Sequence, residues 1–214
     1  MSLNTLAFCT ASQRWAVARA AGAEPLTAPP MTLESFCAGD SARSASVLLV
    51  GRDLLYFALH GIEGEPYWYG DDYITALSTD AFVSLDLSHT VVFVACCHFT
   101  NSPFLPAILA CRPKALIAGA GKNFTRTQSL VGAHLLGYHL RRALAIGLQP
   151  HDALYHAKRH LELDNKRLKS RLRSCPHRPV PSPTRGGGKV GKGDNPDLED
   201  LAANSDALNF EVLT

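Results

Sequence analysis

The sequence lacks any apolar run that approaches 18 residues, which excludes a membrane-spanning helix. The first fifteen residues, MSLNTLAFCTASQRW, lack a basic leader and hold only a short apolar stretch, so they do not read as a secretory signal. A cytoplasmic protein with no membrane partner is the expectation. The Gly-x-Ser-x-Gly elbow of a serine hydrolase is missing as well. Six cysteines stand at 9, 37, 96, 97, 111 and 175, but no spacing gives Cys-x-x-Cys and two are adjacent. That pattern suits neither a disulfide framework nor a zinc knuckle, and it leaves reduced thiols available as nucleophiles.

Two further motifs fail on inspection. Gly119-Ala120-Gly121-Lys122-Asn123 looks like a phosphate loop, but Leu116 and Asn123 stand where a glycine and a hydroxyl residue are needed. A tight turn after a strand is the better reading. His156 and His160 share a helical face at i, i+4 spacing, yet no glutamate follows His156 as a zinc peptidase requires. They read as solvated histidines, and no metal or cofactor is expected.

What is present is a globular composition: 46% apolar and 19% charged residues in 214, enough to fill a sizeable core. The net charge of +2 conceals an asymmetry. Lys166 to Lys192 is rich in Lys and Arg and holds no acid, whereas Gly193 to Thr214 holds acids and no base. No aromatics interleave the basic block, which argues against a nucleic-acid partner. Prolines and glycines, including Gly186-Gly187-Gly188, interrupt the chain beyond Ser174. The expectation is one domain over 1–173 and a disordered, basic-then-acidic tail over 174–214 that contributes nothing to the core.

Within 1–173, uniformly apolar runs alternate with helical periodicity. Thr5–Thr10 reads as a first strand and Gln13–Ala23 as a helix capped by Ser12. Pro25–Pro30 reads as loop or edge, Thr32–Ala38 as a threonine-capped segment and Gly39–Ser46 as a turn. Leu54–Ala58, Thr90–Ala95 and Lys114–Ala118 read as strands covered on both faces. Residues 62–89 read as largely irregular, and Phe104–Cys111 as a helix. Thr127–Ile146 and Pro150–Arg173 carry leucines at helical spacing. The pattern predicts an α/β fold, a mostly parallel sheet with helices on both faces. The three central strands are expected to be neighbours.

In open α/β sheets, chemistry collects at the carboxyl ends of the strands. Three such ends are legible: His60-Gly61, Cys96-Cys97-His98 and Gly119-Ala120-Gly121. The first two would place a histidine and a thiol on one rim, the pair that a nucleophilic cysteine needs. The N–H groups of Gly61 and of the cysteine could form an oxyanion hole.

A buried strand ending in His-Gly, followed by a buried strand ending in a small residue and Cys, resembles the caspase-like (clan CD) cysteine peptidases, and within them the CHAT-type bacterial members. The stretches that carry the resemblance are LLYFALHG (Leu54–Gly61) and TVVFVACCH (Thr90–His98), with support from KALIAGAG (Lys114–Gly121) and DALYHAK (Asp152–Lys158). It implies a caspase-like α/β/α sandwich. It also implies an endopeptidase that cleaves a protein or peptide substrate through a thioacyl-enzyme, with room for a regulatory protein partner. His60 would be the general base and acid, and Gly61 an oxyanion donor. Counting from Val94 makes Cys97 the nucleophile, the favoured register; counting from Phe93 makes it Cys96. Phe99 or Thr100 stands where the family carries glycine or serine beyond the nucleophile. A catalytically silent interaction module of the same fold is the alternative, and a small-molecule site at the 119–123 turn is a third.

Overall fold

The computed structural model describes residues 2–30, 48–123, 129–174 and 196–213. The Thr32–Ala38 and Gly39–Ser46 segments, Cys37, Cys175 and the triple glycine lie outside the described residues. Nine strands are described: β1 (Thr5–Thr10), β2 (Leu26–Ala28), β3 (Leu54–Ala58), β4 (His60–Gly61), β5 (Tyr67–Tyr69), β6 (Thr75–Ser78), β7 (Val91–Val94), β8 (Ala115–Ala118) and β9 (Glu211–Leu213). The longer helices are α1 (Arg14–Ala21), α2 (Phe104–Ala110), α3 (Ala133–Ala145), α4 (Pro150–Ser174) and α5 (Pro196–Asp206).

The main sheet runs β2-β1-β3-β7-β8-β9. Its first five strands are parallel, and β9 closes one edge antiparallel to β8. The three central apolar runs are therefore neighbours, as expected. Side chains alternate across a strand, and both sides of this sheet are dry, so each run must be apolar at every position. Leu55, Phe57, Val92, Val94 and Leu116 enter one core. Leu54, Tyr56, Val91, Phe93 and Ile117 enter the other.

The two faces are covered differently. Alanines and leucines of α1, α3 and α4 pack on the second face. The first face is covered by Phe104 and Ile108 of α2, by Phe82 and Leu85, and by Trp68 of a separate sheet β4-β5-β6. In that sheet, strands β5 and β6 lie within the 62–89 stretch read as largely irregular. Its alternation is only three residues long in β5, too short for a periodic signal: Tyr67 is exposed, Trp68 buried and Tyr69 half-buried. Trp68 stacks on Phe104 with ring centroids 3.9 Å apart.

For residues 196–213 the C-terminal expectation does not hold. Residues 196–213 are not a disordered tail, and the domain does not stop at 173. Phe210 is fully buried and stacks on Phe93 at 5.3 Å, and Ala203 and Ala207 are buried with it. The Asn204 side-chain oxygen accepts a hydrogen bond from the Gly132 N–H at 2.7 Å. The proline-glycine interruptions stop short of Pro196, and the last apolar residues complete the second core. Ser12 is also not the helix cap expected: Gln13 holds the N-cap of α1. Among the described residues no helix is long and apolar enough to cross a membrane.

Candidate active site

His60 and Cys97 come from the carboxyl ends of adjacent strands. The β3–β7 ladder pairs Phe57 with Val94, and the Ala95 N–H donates to the Phe57 carbonyl at 2.7 Å. One step on, the Leu59 N–H donates to the Cys96 Sγ at 3.3 Å. Continuing the register brings the His60-Gly61 step level with Cys97. The contact there is close: a Cβ built on Gly61 would stand 2.1 Å from the Cys97 carbonyl oxygen and 3.2 Å from its carbonyl carbon. Only glycine fits, because any side chain would overlap backbone that cannot rotate away. Gly61, which sequence reasoning marked for its N–H, is required here for its missing Cβ.

The two cysteines are in opposite situations. Cys96 follows Val92 and Val94 at period two into the first core and has no exposed surface. Burial pushes its thiol well above the ordinary range, against the pull of the Leu59 N–H. Thiolate formation is the requirement for attack, and Cys96 is poorly placed for it. Cys97 lies past the end of β7 and is half-exposed. Its Sγ accepts a hydrogen bond from the Asn123 N–H at 3.3 Å and lies 3.8 Å from the Asn123 carbonyl oxygen. Cys9 is buried at the end of β1; burial, then the charges of Asp71 and Glu24, push its thiol up to about 12.

The 119–123 turn forms the floor beneath this thiol. The His98 N–H donates to the Gly121 carbonyl at 2.6 Å, and Asn123 Nδ2 donates to the Cys96 carbonyl at 2.9 Å. Gly119 packs against Phe210, where a Cβ would stand 2.6 Å from the ring. The turn is thus bound to the Cys96–His98 segment, with Cys97 seated on it. Asn123 was noted in the sequence only as the residue that spoils a phosphate loop, and nothing in its local pattern signals this role.

His60 is exposed on the open side of the small sheet. It pairs across the strands with Tyr69, and its ring stacks with Tyr73 at 6.0 Å between centroids. Among the described residues no hydrogen bond joins His60 to Cys97; the thiol engages Asn123 instead.

Other candidate groups lie elsewhere. His156 and His160 are exposed on α4, as their spacing implied, but His139 of α3 joins them, its ring stacked on His160 at 5.0 Å. His139 Nε2 also pairs with Asp164 at 3.1 Å. Among the described residues no group of three or more His, Cys, Asp or Glu side chains is placed to hold a metal ion. A cleft of about 320 Å³ between α4 and β9, and one of about 190 Å³ between α3 and α4, are lined by neither His60 nor Cys97.

Compared with protein families and with curated proteins, the sequence matches none.

Proposed function

We propose that this protein is a cysteine endopeptidase in which Cys97 is the nucleophile and His60 the general base and acid. The observation that carries the reading is the apposition of Gly61 and Cys97, which leaves no room for a Cβ between the two strand ends. In the proposed reaction His60 takes the Cys97 thiol proton as sulfur bonds to the scissile carbonyl carbon. The carbon–nitrogen bond then breaks, and the proton passes from His60 to the departing amine. Water, deprotonated by His60, attacks the thioester and releases the acid and the free thiol. The tetrahedral oxyanion needs donors close by, and the N–H groups of Gly61 and Cys97 are the candidates. No metal or cofactor takes part in this scheme.

Of the two registers left open by the sequence, burial of Cys96 favours Cys97. A mixed alpha/beta architecture with a mostly parallel six-stranded sheet is compatible with the caspase-like resemblance. The silent-module alternative has one observation in its favour, the engagement of the Cys97 thiol by Asn123 rather than by His60.

Alkylation separates the two. In a variant carrying Cys37→Ser and Cys175→Ser, iodoacetamide at neutral pH should modify Cys97 ahead of Cys9, Cys96 and Cys111. His60→Ala should slow peptide cleavage by about 10²–10⁴-fold, and Cys97→Ala should abolish it, whereas Cys96→Ala should keep it. Cleavage retained in Cys97→Ala, or Cys97 labelling no faster than a small free thiol at the same pH, refutes the peptidase and leaves the interaction module.

A further inference from the structure

The small sheet does more than carry His60. Side chains on one face of a strand recur every second residue, so Tyr67 and Tyr69 share the open face, and Tyr69 is the cross-strand partner of His60. Their rings are 6.5 Å apart, Tyr69 is 6.2 Å from Tyr73, and Tyr73 is 6.0 Å from His60. Three tyrosines thus continue outward from the histidine as a ledge. Tyr73 is 68% exposed and Tyr67 39% exposed, so both rings are open to a ligand.

The ledge is held in place at some conformational cost. Asp72 and Tyr73 are consecutive non-glycine residues in the left-handed region, both with φ of 56°. Their turn is tied to the end of β1 by Asp71, whose two carboxylate oxygens accept from the Ser12 N–H and hydroxyl, each at 2.7 Å. Gly70, just before the turn, sits directly against Ala28 of β2. These contacts place Tyr73 against His60.

The formal charges of the segment that builds the ledge have one sign. From Asp53 to Cys111 the chain contains no Lys or Arg, and Glu63, Glu65, Asp71 and Asp72 all fall between His60 and Tyr73. Asp71 is bound to Ser12, and Glu63 accepts from Asn101 Nδ2 at 3.1 Å. Asp72 is exposed, and Glu65 lies close enough to Tyr69 for its charge to help raise that phenol, after the effect of burial. The cations on neighbouring segments are Arg14, the first residue of α1 and paired with Glu24, and Lys122 on the turn below Cys97. Electron-rich ring faces beside carboxylates attract a cation and repel an anion.

We propose that the Tyr67–Tyr69–Tyr73 ledge, with Glu65 and Asp72, is a specificity surface for a substrate segment that carries Lys or Arg next to the scissile bond. This rests on the peptidase reading of Cys97 and names its substrate class. Tyr73, over His60, takes the cationic stem against its ring, and the carboxylates meet the charge.

Matched tripeptidyl acyloxymethyl ketones ending in Arg, Lys, Leu or Asp test it, the rate of Cys97 modification being read by mass spectrometry. The Arg and Lys reagents should react about tenfold faster than Leu, and Asp slowest. That ratio, taken within each protein, should fall toward one in Tyr73→Ala and shrink in Asp72→Asn and Glu65→Gln. It should survive in Tyr73→Phe, and in Tyr155→Ala on α4. Equal rates for all four reagents in the wild type, or Asp fastest, overturn the cationic specificity while leaving Cys97 a nucleophile. If no peptide reagent modifies Cys97 faster than iodoacetamide does, the peptidase reading fails and the specificity with it. The wild-type ratio decides even if a variant does not fold.

Discussion

Phe210→Ala tests how far the C-terminal residues belong to the domain. Phe210 is fully buried, stacked on Phe93 of β7, and its ring fills the space that Gly119 leaves open. Neither neighbour can follow the lost ring inward: Phe93 is fixed in the middle of the parallel ladder, and Gly119 has no side chain to move. A cavity should therefore remain, and truncation of a core phenylalanine costs about 3–5 kcal/mol. In a chain of this size each kcal/mol lowers the melting temperature by about 2–4 °C, so a fall of roughly 6–20 °C is expected. Deleting residues 196–214 should lower it at least as much, because the β8–β9 ladder and the Asn204–Gly132 hydrogen bond go too. Calorimetry or circular dichroism at a fixed scan rate measures this. The effect should also reach the site, since the 119–123 turn rests on Phe210 and carries the Cys97 thiol; Cys97 alkylation should change in rate in the same variants. A melting temperature lowered by less than about 2 °C in both would refute the docking of α5 and β9 as a source of stability.

Two further outcomes follow from single contacts. Gly61→Ala should disrupt the apposition of β4 and Cys97, because its Cβ would overlap the Cys97 carbonyl; loss of Cys97 reactivity with melting lowered by several degrees is expected, and an unchanged labelling rate would contradict it. His134 is buried beneath the sheet with Nδ1 2.9 Å from the Tyr56 hydroxyl, and burial lowers its pKa to about 4 from an ordinary 6.5. The unfolded chain therefore takes up the proton first: this contribution is fully present above pH 6.5 and is lost as pH falls toward 4, by about 3 kcal/mol in full. Urea titrations between pH 6.5 and 5, before most carboxylates protonate, should show a steeper loss in the wild type than in the Tyr56→Phe/His134→Phe double variant, and equal slopes would contradict the assignment.

The parallel core was legible in the sequence because burial on both faces leaves no polar position in a strand. Leu54–Ala58, Thr90–Ala95 and Lys114–Ala118 could hardly be anything else, and their order along the chain already put His60-Gly61 and Cys96-Cys97 at the same ends. The choice between the cysteines was not written there: both faces of the sheet are dry, Cys96 continues the Val92 and Val94 face and Cys97 the Phe93 and Ala95 face, and Cys97 is open because it lies past the end of the strand. What the sequence could not determine was decided by contacts between residues far apart in the chain. β5 alternates for three residues only, and its identity as a strand comes from pairing with β4 and β6. Ser12 is a plausible helix cap by local chemistry, but Asp71, 59 residues away, claims both its N–H and its hydroxyl. Asn123 has no local mark at all, and Phe210 stands in an acidic stretch that looks solvated until Phe93 and Gly119 open a place for it. Hydrophobic periodicity is a property of each segment alone, so one sequence carries it. The shape of the space beside His60 and Cys97 is a property of several segments at once, and only their packing determines it.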